Sequence, residues 1–129
     1  MSDVTMPEEA GKLFDEANYV TVASLEPNGD PQLSIVWAKR DGDDVVFSTT
    51  HGRRKTENWQ RDARAAVSVF SMTNPFHYAE VRGRVTIVDD PDGSLIQELS
   101  LKYTGQEWAE DAPAGRVIVR VTPHKVYVR

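Results

Sequence analysis

Tyr19-Val20-Thr21-Val22-Ala23-Ser24-Leu25, then Glu26-Pro27-Asn28-Gly29-Asp30-Pro31, then Gln32-Leu33-Ser34-Ile35-Val36-Trp37-Ala38 is the stretch that sets the fold class. Its first and last parts are rich in β-branched and apolar residues, which fit a pleated, half-buried surface. Between them, Asn28-Gly29 supplies the positive φ that a tight hairpin turn needs. Asp41-Gly42 marks a second turn, and Val45 to Thr49 reads as a third strand. Short strands joined by tight turns form an antiparallel meander, not the strand–helix alternation of a parallel sheet.

Upstream, Thr5-Met6-Pro7-Glu8 has the form of a capping box with Pro7 in the first helical turn. Met6, Ala10, Leu13, Phe14 and Ala17 then recur at helical spacing, and Asn18 is expected to end this helix. Downstream, the period changes at Arg53 to Ala63, where Lys55, Thr56, Trp59 and Ala63 predict a short helix. Ala65 to Ser71 and Tyr78 to Val88 read as strands, and Gly83 inside the second predicts a bulge or a close backbone approach. Asp89-Asp90-Pro91-Asp92 opens a helix through Leu95, Ile96, Leu99 and Tyr103, which Gly105 closes. Gln106 to Ala114 is an acidic loop, and Arg116 to Val121 and Lys125 to Val128 are final strands separated by Pro123. The sum is about six strands and three short helices, a small antiparallel β-barrel with helices at its ends. Such a barrel must cover its edges, and a dimer does so economically.

The chain has 129 residues, enough for one domain (1–129) and too few for two ordinary ones. It has no cysteine, which excludes disulfides, iron–sulfur clusters, thiolate zinc and a cysteine nucleophile together. No apolar run approaches the roughly 20 residues of a membrane span. The acidic segment Met1 to Glu9 lacks the apolar core of a signal peptide, so a cytoplasmic location is expected. The net charge is −5, which disfavours nucleic acid as a partner. The cations are nonetheless clustered. Residues 51–64 carry Arg53, Arg54, Lys55, Arg61 and Arg64 against Glu57 and Asp62, and residues 116–129 carry four cations and no acid. Two basic segments on an acidic protein point to local anion sites.

The sharper of the two is Phe47-Ser48-Thr49-Thr50-His51-Gly52-Arg53-Arg54-Lys55-Thr56, which runs from a strand through a hydroxyl-rich turn into a helix start. Backbone N–H groups at a helix N-terminus, hydroxyls and clustered cations are what a phosphate requires. A cap with solvated basic residues is the plainer reading of the same stretch. Trp37, Trp59 and Trp108 are candidates for stacking a flat ring: Trp59 belongs to the apolar face of its helix, Trp37 fits core or pocket wall, and Trp108 stands in a polar loop. His51, His77 and His124 have no metal-ligand spacing, and no Gly-x-Ser-x-Gly elbow is present. A barrel with a phosphate site and no evident acid, base or nucleophile suits a protein whose chemistry comes from a bound cofactor.

Taken in order, Ala23-Ser24-Leu25, Asn28 to Gln32, Ser34 to Trp37, Val46 to Thr49, Gly52 to Asp62, Tyr78 to Val85 and Val121 to Val126 resemble the flavin/deazaflavin oxidoreductases with the split β-barrel fold. These form the pyridoxamine 5′-phosphate oxidase-like superfamily, and the likeness is strongest to its actinobacterial branch that uses coenzyme F420. The resemblance implies a six-stranded FMN-binding-type split barrel, acting as a homodimer with cofactor sites at the subunit interface. It implies that Gln32, Ser34 and Val36, with Trp37, lie along the ring, that Ser48 and Thr49 sit near the polyol, and that Arg53, Arg54 and Lys55, with Asn58, form the phosphate-binding turn. The partner chain usually closes the pocket in such proteins; Tyr78, Trp108 and the C-terminal basic strand are the candidates here. Arg61 or Arg64 would meet the acidic tail of coenzyme F420. The implied reaction is hydride transfer from reduced deazaflavin to a conjugated small-molecule acceptor, with Tyr78 or His77 available as proton donor. A protein of the same fold holding FMN, or one that binds a cofactor without turnover, are the alternatives. The chain lacks the longer C-terminal segment that binds substrate phosphate in pyridoxamine phosphate oxidases.

Overall fold

The hairpin over residues 19–38 forms as expected, with Val20 opposite Val36, Leu25 opposite Pro31, and Gly29 at φ +92° in the turn. The returning run, however, bends at Trp37. In the computed structural model, which describes residues 4–109 and 115–129, it becomes two strands. The strands are β1 (Val20–Leu25), β2 (Pro31–Val36), β3 (Ala38–Asp41), β4 (Asp44–Thr50), β5 (Arg64–Phe70), β6 (Tyr78–Asp89) and β7 (Arg116–Val128). The helices are α1 (Glu8–Asp15), α2 (Arg54–Arg61) and α3 (Ser94–Thr104). The seven strands form one antiparallel sheet in the order β2-β1-β5-β6-β7-β4-β3.

This order fixes the shape of the sheet. β2 and β3 are its two edges, yet only Trp37 separates them in sequence. Two residue steps span at most about 7 Å, so the edges meet at this corner and the sheet must curl on itself. The result is the expected small barrel, with seven strands: the bend at Trp37 divides one expected strand in two, and the two expected final strands are one.

Alternation along β4 shows where the two cores lie. Val45 and Phe47 point inward to the main cluster with Val22, Val67, Val81 and Val119, which α1 covers with Ala10, Leu13 and Phe14. Val46 points outward and packs with Leu95 and Leu99 of α3, with Trp37, Tyr103 and Ile118 around them. Trp59 is buried against Phe47, as its place on the helical stripe predicted.

Three local expectations need correction. No side chain caps α1: Pro7 is itself the N-cap, and the N–H of Met6 donates instead to Asp43 Oδ1 at 2.8 Å. Ala17 lies beyond the helix end and is exposed, while buried Asn18 donates from Nδ2 to the Leu13 carbonyl at 2.9 Å. Pro123 does not separate two strands. β7 runs through it, because Pro123 falls opposite Gly83 at the bulge, where the ladder is already interrupted. A Cβ on Gly83 would lie 2.2 Å from the Thr122 carbonyl oxygen, so the close approach expected of this glycine is present.

The start of α3 follows its sequence signal. The buried Asp90 carboxylate accepts from the N–H of Ser94 at 3.2 Å, its hydroxyl at 2.9 Å and the N–H of Leu95 at 3.0 Å. At the other end Gly105 takes the left-handed conformation at φ +74°.

Candidate functional site

The site grows out of the end of β4. Val46, Ser48 and Thr50 share the outer face of this strand, opposite Arg120, Ile118 and Arg116 of β7. The chain then turns through Gly52, at φ +83°, into α2. Buried Thr56 pins this turn by donating its hydroxyl to the Thr50 carbonyl at 2.8 Å. Arg53 is the N-cap in extended conformation, and no side chain satisfies the first N–H groups of the helix. Arg53 and half-buried Lys55 stand over this end. Neither has a carboxylate within ion-pair distance among the described residues. Burial, and then the neighbouring Arg53 cation, push the Lys55 amine below its ordinary value. A partly desolvated ammonium with no acid partner among the described residues, beside a second cation and an uncapped helix start, has the charge and hydrogen-bonding capacity that an anion needs.

From here a cleft of about 400 Å³ runs between the outer face of the barrel and α3. Its walls are aromatic. Trp37 stacks on Tyr103 with ring centroids 5.4 Å apart and planes 14° apart. Trp108 meets Trp37 edge-on at 5.9 Å and 87°, and the Arg116 guanidinium lies 5.4 Å from the Trp108 ring centre. Ile96 and Leu99 supply apolar lining from α3. The Ser48 hydroxyl is buried and makes no hydrogen bond, and the same holds for Trp108 Nε1. A group with phosphate, hydroxyls and a flat ring fits this donor set, since it would satisfy groups that the fold leaves unsatisfied.

Of the residues singled out in the sequence, Val36, Trp37, Ser48, Thr49, Arg53, Lys55 and Trp108 come together along this cleft. The others lie elsewhere. Arg54 pairs with Glu26 at 3.0 Å. Asn58 is buried and donates to Ser24 Oγ at 3.0 Å, which in turn donates to Gln32 Oε1 at 2.8 Å, so Asn58 and Gln32 tie α2 to the hairpin. The Ser34 hydroxyl is buried without a partner outside the cleft lining. Tyr78 lines a separate groove with Leu33 and Glu80. Neither Tyr78 nor His77 borders the cleft, and His77 Nδ1 is engaged by the Arg129 carbonyl. Arg61 donates to the Asn58 and Leu25 oxygens, and Arg64 pairs with Asp62 at 2.7 Å, so both are engaged within the chain. Trp108 and Arg116, candidates for closing a partner's pocket, border the cleft of their own chain.

Sequence reasoning missed Tyr19, Ile35, Ile96 and Leu99 as lining residues. The last two carried a signal only for an amphipathic helix; which surface that helix covers is a tertiary fact. Among the described residues no group of three or more His, Asp or Glu side chains could hold a metal ion. No described helix is long and apolar enough to cross a membrane.

An antiparallel barrel split at one corner, with clustered cations and an aromatic cleft on its outside, defines a split-barrel protein. Residues 6–129 match the pyridoxamine 5′-phosphate oxidase family, and the chain belongs to it. It is similar in structure to a protein named F420 reductase, with TM-score 0.87 and 34% identity over 95% of this chain and 98% of that one. It is also similar to a conserved hypothetical protein from Mycobacterium tuberculosis (TM-score 0.78, 22% identity, 99% and 87% covered). General Stress Protein 26 from Bacillus anthracis shares the fold as well (TM-score 0.72, 15% identity, 94% and 91% covered). No curated protein matches the sequence. The expected split-barrel family resemblance is thereby met, and one structural neighbour carries the name F420 reductase.

Proposed function

We propose that this chain is a coenzyme F420-dependent reductase that works as a homodimer. The observation that carries the reading is Lys55: a half-buried ammonium with no acid partner among the described residues, beside Arg53 in the lining of a cleft that Trp37 and Trp108 also wall. A ligand that fits both the cations and the aromatic walls carries a phosphate and a planar ring. Coenzyme F420 does, and the 34% identity to a protein named F420 reductase favours it over FMN. In this assignment Arg53, Lys55 and the start of α2 hold the phosphate, Ser48 and Thr49 meet the polyol, and the aromatic walls border the ring. When bound, the reduced deazaflavin supplies a hydride, and a conjugated small molecule accepts it. The chain's own part is to align the two rings and to keep water from between them. Among the described residues the cleft lining holds no carboxylic acid and no histidine; its titratable groups are Tyr19, Lys55 and the arginines Arg53 and Arg116.

The homodimer is supported by the outer face of β2. Leu33 and Ile35 are 63% and 69% exposed there, a large exposure for two apolar residues on one strand face. Ile35 also borders the cleft, so a second copy seated on this face would close its open side.

The test is a fluorescence titration of the purified protein with oxidised coenzyme F420 and, side by side, with FMN. Tighter F420 binding, with acceptor-dependent oxidation of the reduced form, is the expected result. Preference for FMN would move the protein to the flavin branch, and tight binding without turnover would make it a cofactor carrier.

A further inference from the structure

Gln97 sits on α3 beside the cleft residue Ile96, and its side-chain amide makes two hydrogen bonds to one backbone unit. Nε2 donates to the Trp108 carbonyl at 3.0 Å, and Oε1 accepts from the Trp108 N–H at 2.9 Å. A neighbouring strand would satisfy a residue in the same way, with one donor and one acceptor. Two further ties hold the same segment. Ser100 donates to the Gln106 carbonyl at 2.8 Å, and Thr104 Oγ1 accepts from the Gln106 N–H at 3.1 Å. The chain thus leaves α3 at Gly105, doubles back along the helix and is fastened at 106 and 108.

This strap explains how a tryptophan in a loop of polar residues has a defined place. Trp108 belongs to no helix or strand, so no ladder orients it. The clamp at its backbone fixes the Cα, and the edge-on contact with Trp37 and the guanidinium of Arg116 fix the ring. The indole then stands as a fixed wall of the cleft.

We infer that Gln97 is a positioning residue for Trp108, and that Trp108 so held limits the size of the second reactant admitted to the cleft. The clamp stands on geometry alone; the role toward a second reactant rests on the cofactor reading above. A wall held at both backbone and ring cannot swing aside for a bulky acceptor, whereas a wall on a loose loop can.

The experiment uses the full chain labelled with 5-fluorotryptophan, which gives three fluorine resonances, one for each tryptophan. Trp108→Phe assigns one of them. In Gln97→Leu, which keeps the bulk and removes both hydrogen bonds, the Trp108 line should move toward the free-indole position while the Trp59 line stays. Gln97→Glu keeps the acceptor and loses one donor, so it should fall between. An unmoved Trp108 line in Gln97→Leu overturns the clamp. With the cofactor bound and reduced, the ratio of kcat/KM for a bulky over a compact quinone should rise about tenfold in both Gln97→Leu and Trp108→Ala. An unchanged ratio overturns the size limit. Binding of neither coenzyme F420 nor FMN would overturn the cofactor reading and the role toward an acceptor with it, while the fluorine spectra would still decide the clamp.

Discussion

Replacing Lys55 by Met should separate a ligand-binding cation from a structural one, because the two roles predict opposite effects. The amine is half-buried, has no carboxylate partner among the described residues, and is held below its ordinary pKa by burial and by Arg53. In the free protein it is therefore a charge that the fold tolerates rather than uses. Methionine keeps the length and packing of the stem and removes the charge, so stability in a urea titration should stay within about 1 kcal/mol of the parent or rise. Cofactor binding should move the other way. Losing one charge-assisted contact to phosphate costs about 1.5–3 kcal/mol, or roughly 10- to 150-fold in Kd. The affinity should also fall with rising pH earlier than for a solvated lysine, since only the protonated amine attracts the anion and its proton leaves sooner. Arg54→Met is the paired control. Its guanidinium faces Glu26 rather than the cleft, so its effect on Kd should be several-fold smaller, although the two residues are neighbours in sequence. A Kd for Lys55→Met within twofold of the parent, or a loss of stability above about 2 kcal/mol, would refute the assignment.

Gly83→Ala should destabilise the barrel by about 3 kcal/mol or more, because the added Cβ meets the Thr122 carbonyl oxygen at 2.2 Å and backbone must move; a melting temperature equal to the parent's would contradict this. Asn58→Ala should cost about 1–3 kcal/mol in denaturant unfolding by removing a buried amide that bonds Ser24 and Arg61 and ties α2 to the hairpin. If Asn58→Ala instead weakened cofactor binding at unchanged stability, Asn58 would be a ligand contact. Lys102 donates to the carbonyls of Phe14 and Ala38, and burial pushes its amine down to about 8. The unfolded chain, with its ordinary value of 10.5, then binds more protons between those two values. Relative to Lys102→Met, the stability of the parent should therefore rise between about pH 8 and 10.5, and a flat or falling difference would show that the native amine is not depressed.

Much of this arrangement is legible in sequence where the signal is local. Asn28-Gly29 specifies a turn by its own φ preference, Asp90 caps the helix that begins four residues later, and Gly105 ends it. Gly83 advertises a close approach because nothing larger fits. The Arg53 to Lys55 turn is legible for the same reason: strand end, glycine and helix start are consecutive. Legibility fails where meaning depends on a distant partner. Arg53, Arg54 and Lys55 look alike in a row, yet Glu26, 28 residues upstream of Arg54, takes one of them out of the cleft. Asn58 and Gln32 carry the polar groups of ligand contacts, but each finds Ser24 first. Pro123 reads as a strand breaker on its own and is tolerated where β7 bulges, with His124 left out of the register opposite Arg82 and Gly83. Gln97 gave no signal at all, since a half-buried glutamine on an amphipathic helix acquires its role from a backbone 11 residues away.

Trp37 links the closure of the barrel to the cleft. It is the only residue between the two edge strands, so the barrel closes at its backbone. The polar groups on either side of it cannot form a ladder there, and the fold satisfies them from α3. The Ala38 N–H donates to the Tyr103 hydroxyl at 3.1 Å, and the Ala38 carbonyl accepts from Lys102 at 2.7 Å. The Tyr103 hydroxyl also donates to the Asn18 carbonyl at 2.6 Å, next to the start of β1. Helix α3 is thereby drawn onto the seam, its tyrosine stacks on Trp37, and the space left between helix and barrel is the cleft. The cavity is thus not carved out of the core, which stays filled with valines inside the barrel. It follows from the seam: a sheet that curls without completing its ladder needs a helix to satisfy the corner, and a helix laid over a corner leaves a groove beside it. The cations Arg53 and Lys55 border that groove because β4, the neighbour of the edge strand, ends beside it and its outer face turns from apolar Val46 to Ser48 and Thr50.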